Sequence, residues 1–122
     1  MAISQTSLAD LSGSILYTNT VCNATKDAIK ASSAVVYAID VDNSANASAS
    51  YLKLYNTASG SVTVGTTAPD VVILAPASTR ISIPIPAGIT FGTAITVACV
   101  TGAGTAGTTD PTSGVIVRVV YV

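Results

Sequence analysis

The sequence predicts an all-β protein: an antiparallel β-sandwich or jelly roll of about eight short strands, with an N-terminal arm. Runs rich in Val, Ile, Thr and Tyr alternate apolar and polar residues, which is the period of a half-buried strand. Turn residues (Gly, Pro, Asn, Asp and Ser) separate these runs at short intervals, and no segment carries a convincing helical pattern. A length of 122 residues favours one domain.

The chain is expected to divide into an N-terminal arm with the first strand region, residues 1–24, and a single sandwich domain, residues 25–122. Helix propensity is weak before Gly13, which would end any helical turn. The run from Ser14 to Val21 has the β-branched and aromatic content of a first strand. The run from Lys26 to Lys30 fits a short helical turn or a strand, and the strand fits better.

The stretch from Val35 to Asn56 is predicted to organise the sheet as two antiparallel strands joined by a loop. Alternate positions of the first strand carry the apolar side chains of Val35, Tyr37, Ile39 and Val41. Their burial would contribute about 6–10 kcal/mol gross, enough to nucleate a sheet. The loop Asn43–Ser48 is rich in Asn and Ser, which bond neighbouring backbone groups and tolerate turn geometry.

The middle of the chain adds three predicted strands. Ser61 to Gly65 is expected to be short, and the continuous apolar run Val71 to Leu74 is expected to be centrally buried. The next run alternates outward-facing Pro84 and Pro86 with the isoleucines Ile81, Ile83 and Ile85. Because each proline removes a backbone donor, this strand is expected at a sheet edge.

Two strands and a long loop complete the pattern. Thr93 to Val100 alternates clearly, and Thr101 to Thr109 is a Gly/Thr loop. The last strand carries an alternating set of apolar side chains at Val115, Val117, Val119 and Tyr121. Since its opposite face is also largely apolar, we expect this strand to be central or to be covered by a neighbouring chain.

The composition argues against several functions. Charged residues make up only 9% of the chain, the net charge is −1, and there is no basic patch for nucleic-acid phosphates. The sequence contains no His and no Glu, the usual acid–base catalysts, so no enzyme activity and no cofactor are expected. The N-terminus lacks the charged start and apolar core of a signal peptide, and no apolar run is long enough for a transmembrane helix. So few charges indicate that partners cover part of the surface.

Three clusters each allow two interpretations. Cys22 and Cys99 are either two small buried apolar residues or one disulfide. The G-x-G-x-x-G pattern at 102–107 matches a phosphate-binding loop, but it precedes a strand rather than a helix, which favours a hairpin loop. Asp40 and Asp42, with the following asparagine, are either ligands of a Ca²⁺ ion or a solvated strand end.

Tyr51, Lys53 and Tyr55 fall on one face of their strand. They form either a stripe that binds a sugar or a protein partner, or an aromatic side of the sandwich on which the lysine stem lies over a tyrosine ring.

Four stretches together resemble small virion structural proteins of tailed bacteriophages. They are DNSANASASYLKLYN, VGTTAPD, the Ile-Pro alternation ending in PAGITFGTAITVACVTGAGT, and the terminal VIVRVVYV. The similarity runs from about Asp27 to Val122. It implies a β-sandwich on the phage particle, in first place as a capsid decoration (cement) protein and in second place as a tail, baseplate or fibre module that binds other virion proteins or a host glycan. It carries over no catalytic, cofactor or metal residues.

The partners then expected are the major capsid protein and copies of the chain itself, as a dimer or trimer, with no nucleic acid, membrane or small-molecule substrate. The location expected is the capsid surface, after synthesis in the host cytoplasm. The residues predicted for the interface come from the arm, the first strand, the tyrosine stripe and the Gly/Thr loop: Leu8, Leu11, Ile15, Tyr17, Tyr51, Lys53, Tyr55 and Thr105.

Overall fold

The computed structural model describes residues 13–122. They form eight strands: β1 (Ile15–Cys22), β2 (Asp27–Lys30), β3 (Ala34–Asp42), β4 (Ser50–Tyr55), β5 (Val71–Ala75), β6 (Arg80–Phe91), β7 (Ile95–Val100) and β8 (Val115–Tyr121). A single 3-10 turn, Ser59–Ser61, interrupts the connection between β4 and β5. No helix within this range is long or apolar enough to cross a membrane.

The strands build two antiparallel sheets of four strands each, which confirms the predicted fold class. Sheet A has the order β1-β8-β3-β6, and sheet B has the order β2-β7-β4-β5. The pairing is nested: β1 pairs with β8, β2 with β7, β3 with β6 and β4 with β5. One long hairpin wound into two facing sheets gives this pairing, which is the topology of a jelly roll.

The apolar core lies between the inner faces of the two sheets. Central strands contribute the fully buried side chains Val36, Ile39, Val41, Leu52, Leu54, Val97, Val115, Val117 and Val119. Each such side chain contributes about 1.5–3 kcal/mol gross on leaving water. The last strand is central, as expected, because β8 lies between β1 and β3.

The predicted hairpin between the third and fourth strands is wrong. β3 belongs to sheet A and β4 to sheet B, so the loop between them crosses from one sheet to the other. The predicted inward phase of β3 is also only half right. Ile39 and Val41 face the core, but a register shift between Val36 and Ala38 turns Val36 inward in place of Val35 and Tyr37. A bulge of this kind exchanges the two faces of a strand.

Two other strand predictions fail, while two hold. Val71–Ala75 is an edge strand, with alternate side chains exposed, rather than a central one. The segment 61–65 contains the last residue of the 3-10 turn and the start of a second turn, and it is not a strand. β6, with its prolines, is an edge strand as predicted, and Asp27–Lys30 is a strand rather than a helical turn.

The crossing loop between the sheets is organised around Asn43, which is fully buried. Its amide nitrogen donates to the carbonyls of Ser48, Ala75 and Pro76 at 3.0–3.1 Å. Its amide oxygen accepts hydrogen bonds from Ser50 Oγ and from the amide of Asn46, both at 2.9 Å. We call Asn43, Asn46 and Ser50 the asparagine cluster. It supplies the partners that water would otherwise give to buried polar groups.

The asparagine cluster also reaches the connection before β8. Asn46 Nδ2 donates to the carbonyl of Ser113 at 2.9 Å, and Asn46 Oδ1 accepts from the Ser113 backbone N–H at 2.7 Å. The Asn46 carbonyl accepts from the Ser78 backbone N–H at 2.8 Å. Three loops at one end of the sandwich are therefore joined through two side-chain amides.

The protein's own loops cover the outer face of sheet B over β4 and β7, while Val72 and Leu74 on edge strand β5 stay exposed. In the segment after β4, Val62 packs against Tyr55 and Ala98. The 101–109 loop lies over Lys53, whose Nζ donates to the Gly104 carbonyl at 2.6 Å and lies 3.4 Å from that of Gly107. Lys53 is fully buried, and this burial lowers the pKa of its ammonium group.

Replacing Asn43 with Ala is expected to lower the free energy of unfolding by about 3 kcal/mol, because the carbonyls and side chains around it lose their partner inside the protein. The control is Ser48→Ala, which removes an exposed side chain and keeps the carbonyl that Asn43 binds. Urea unfolding followed by circular dichroism measures both changes. Equal stability losses in the two variants would contradict the role given to the asparagine cluster.

Gly107→Ala is expected to destabilise the fold by about 1–3 kcal/mol, because a Cβ there would lie 2.6 Å from the Gly102 carbonyl oxygen. Gly104→Ala, in the same loop, meets nothing within 4 Å and is expected to change stability by less than about 0.5 kcal/mol. Thermal melts of the two variants test this difference. A Gly104→Ala loss as large as that of Gly107→Ala would mean that the loop needs glycine for chain flexibility rather than for space.

Candidate interaction surface

The outer face of sheet A carries the most distinctive surface of the described chain. Neighbouring strands align an apolar row across the whole sheet: Leu16 opposite Val120, Val120 opposite Ala38, and Ala38 opposite Pro84. Leu16, on edge strand β1, is 59% exposed. We call these four residues the apolar row. Leu16 and Pro84, on the two edge strands, are exposed, and Ala38 and Val120 between them are half-buried.

A polar row lies directly beside the apolar row. The register places Thr18 opposite Arg118, Arg118 opposite Asp40, and Asp40 opposite Ser82. Asp40 accepts hydrogen bonds from Arg80 Nε and Nη2 at 3.0 Å each, from Ser82 Oγ at 2.7 Å and from Arg118 Nη1 at 3.3 Å. One carboxylate is therefore shared by two guanidinium groups, and the cluster has a net charge of +1.

The cluster has a defined electrostatic state. The hydrogen bond from Arg80 is the main cause of the lowered pKa of Asp40, and the bonds from Ser82 and Arg118 act in the same direction. Asp40 raises the pKa of Arg80 in return. A carboxylate with a lowered pKa is a weak base, so Asp40 does not activate the Ser82 hydroxyl as a nucleophile. The arrangement is suited to binding: both guanidiniums keep free donors that can pair with a carboxylate of a partner.

The two rows border a shallow groove of about 420 Å³, lined by Leu16, Ala38, Asp40, Arg80, Ser82, Pro84, Arg118 and Val120. Its lining is mostly apolar, with the arginines at one side. Such a surface fits an apolar side chain flanked by an acidic group.

The edge of β1 continues this surface. Ile15 and Val21 are 50% and 67% exposed, and β1 contains no proline and no charged residue. Prolines and charges are the usual protection of an edge strand against pairing with another chain. β6, at the opposite edge of the sheet, carries two prolines and Arg80. Among residues 13–122, the β1 edge of sheet A therefore carries neither proline nor charge, and the bulge between Asn19 and Cys22 is its one protection of this kind.

The predicted interface residues fall in different places. Leu8 and Leu11 lie outside the described residues. Ile15 is exposed on β1, and Thr105 is exposed in the loop before β8. Tyr17 faces inward, half-buried against the core. Ile15 shares the phase of Tyr17, opposite Tyr121, and so lies on the other face of β1 from Leu16. The contact role of Ile15, Tyr17 and Thr105 stays a prediction.

The predicted stripe on the fourth strand is wrong as an exposed surface. Lys53 and Tyr55 are fully buried beneath the loops that cover sheet B, and Tyr51 is half-buried. Burial raises the pKa of the Tyr55 hydroxyl, which has no hydrogen-bond partner among residues 13–122. The stripe packs inside the chain, and the lysine bonds backbone carbonyls rather than lying free for a partner.

The G-x-G-x-x-G loop and the Asp40–Asp42 cluster have structural roles in the fold rather than the geometry of a binding site. The G-x-G-x-x-G segment forms the loop before β8, as expected, and its carbonyls bind Lys53. Asp42 accepts from the Ser44 backbone N–H at 3.0 Å and caps the strand end. Asn43 is buried, and Asp40 is paired with arginines, so these side chains do not converge. No group of three or more acidic, His or Cys side chains in the described part of the chain is placed to hold a metal ion.

Sequence reasoning missed the apolar row and the arginine pair. The sequence held one indication of the apolar row: Leu16 is an apolar residue that shares its strand face with the polar residue Thr18. The register between β1, β8, β3 and β6 was needed to bring four single apolar residues together, and this register cannot be obtained from a single strand's pattern.

Comparisons of this chain with protein families, with curated proteins and with solved structures find no match.

Asp40→Asn is expected to weaken the acid dependence of stability. The folded-state pKa of Asp40 lies below its unfolded value, so its contribution is present above the unfolded pKa and is lost as pH falls through the folded pKa. We expect the variant to lose about 1 kcal/mol at pH 7 and less at pH 2–3. Urea unfolding of both proteins from pH 7 to pH 2 measures this; parallel stability curves would contradict it.

Proposed function

We propose that this protein is a structural component of a bacteriophage virion, a capsid decoration protein that binds the major capsid protein through the outer face of sheet A. The observation that carries the proposal is the apolar row, which runs across all four strands of sheet A and ends at β1, an edge strand without prolines or charges. The chain has few charges, and exposing this apolar face to water is unfavourable in free energy. A partner that covers the face would remove this penalty.

The rigid architecture supports an assembly role. The jelly roll is a frequent fold of viral capsid and lectin domains, and fold alone does not distinguish the two. The chemistry of the exposed face separates them better. Sugar-binding sites need convergent polar groups and exposed aromatic rings, whereas this face offers Leu16, Val120, Ala38 and Pro84 beside two arginines. These groups suit an apolar protein surface that carries a carboxylate.

The first test is the copy number of the chain in purified phage particles, measured by quantitative mass spectrometry. A decoration protein is expected in fixed proportion to the major capsid protein, with a copy number of the same order. If each particle held only the few copies that fit one threefold or sixfold assembly, the tail or baseplate role would be favoured instead. Absence from particles would reject a virion role.

Leu16→Asp is expected to weaken binding to particles that lack the protein by at least about tenfold, because a carboxylate would replace the end of the apolar row. The matched control is Leu74→Asp, on edge strand β5 of sheet B, where the leucine is 51% exposed. Co-sedimentation with the particles measures the bound fraction, and DNA release on heating measures particle stability. If Leu74→Asp weakens binding and Leu16→Asp does not, the contact surface lies on sheet B.

A further inference from the structure

The two cysteines meet where the chain passes from one sheet to the other. Cys22 is the last residue of β1 in sheet A, and the chain then turns towards β2 in sheet B. Cys99 lies in β7, a central strand of sheet B. Its backbone N–H donates to the carbonyl of Asn23 at 2.8 Å, which brings the residue after Cys22 directly against β7.

The side chains of the two cysteines are also neighbours. Both are fully buried in the same core cluster, both are free thiols, and the Cys99 thiol lies within hydrogen-bonding reach of Cys22. The hydrogen bond with Cys22, followed by burial, raises the pKa of Cys99. Cys99 therefore keeps its proton to a higher pH than a free thiol does.

We propose that Cys22 and Cys99 form an oxidation site, at which a low-molecular-weight disulfide converts the paired thiols into an intramolecular disulfide between sheet A and sheet B. The inference rests on the placement of these two residues and does not depend on the proposed function. A disulfide requires sulfur atoms that can approach to bonding distance with little backbone movement. The 2.8 Å backbone hydrogen bond between Cys99 and Asn23 holds the two segments together next to the cysteines.

The reaction is balanced by ordinary thiol–disulfide exchange. The Cys22 thiolate attacks one sulfur of glutathione disulfide, the S–S bond of glutathione breaks, and one glutathione thiolate leaves. Cys99 then loses its proton and attacks the Cys22 sulfur of the mixed disulfide. The Cys22–Cys99 bond forms as the second glutathione thiolate leaves. The protein loses two electrons and two protons, and one glutathione disulfide is reduced to two thiols.

The end of β1 gives the oxidant access. β1 is an edge strand with a register shift between Asn19 and Cys22, and Val21 beside Cys22 is largely exposed. Local separation of this strand end exposes the Cys22 sulfur without unfolding the core. Once formed, the disulfide holds that end of β1 against β7, so the strand that carries Leu16 is fixed to both sheets.

The experiment equilibrates the purified full chain with reduced and oxidised glutathione in the absence of denaturant, then blocks remaining thiols with iodoacetamide. We expect intact mass spectrometry to show a monomer lighter by two hydrogens with no alkylation. We also expect its melting temperature to rise by about 10 °C, because the bond closes a long loop, and to fall back after reduction with dithiothreitol.

The single variants Cys22→Ser and Cys99→Ser serve to trap the exchange. Cys99→Ser is expected to accumulate the glutathione mixed disulfide on Cys22, and Cys22→Ser is expected to react more slowly. The double variant Cys22→Ala, Cys99→Ala controls for redox-independent effects and should show no shift in melting temperature between the two buffers. Thiols that remain alkylatable at equilibrium, a stable mixed disulfide in the wild type, dimers linked by disulfides, or an unchanged melting temperature would each overturn the proposal.

Discussion

The buried amide of Asn43 holds together the part of the fold on which the sheet arrangement depends. The chain leaves sheet A after β3 and must enter sheet B at β4, which removes several backbone carbonyls from water. Asn43 donates to those of Ser48, Ala75 and Pro76, and Asn46 joins the connection before β8 to the same cluster. The two sheets therefore face each other with their crossing loops held by side-chain amides instead of solvent.

The sequence predicted where most strands lie, but it did not predict which strands pair with each other. Period-two patterns located β1, β3, β6, β7 and β8, and the prolines of β6 identified an edge. The hairpin expected between β3 and β4 failed because adjacency in sequence suggests pairing, while a nested hairpin pairs most strands with distant ones. The bulge in β3 was also not predictable from the alternating pattern. It lies just before Ala38 and reverses which side chains of the first half of the strand face the core.

The candidate surface could be predicted only in part, for a similar reason. The low charge of the chain indicated a covered surface, but the residues chosen from the first strand, Ile15 and Tyr17, lie on the opposite phase from Leu16. The tyrosine stripe was left between a binding surface and an aromatic side of the sandwich, and the structure shows the Gly/Thr loop folded over Lys53, which it supplies with carbonyl acceptors. A lysine stem buried beneath a loop has the same strand pattern as one in water. Whether such a lysine is buried depends on contact with a loop that is distant in sequence, so the pattern of its own strand does not predict it.

The nested pairing also sets the order in which the fold can be completed during synthesis. Among the strands of residues 13–122, β1 is synthesised first, yet its partner in sheet A is β8, the last of these strands. Only β4 and β5 pair as consecutive strands, so the innermost hairpin can form first and the outer pairs must wait. Until β8 has been synthesised, the apolar side chains of β1 therefore lack their native neighbour in sheet A.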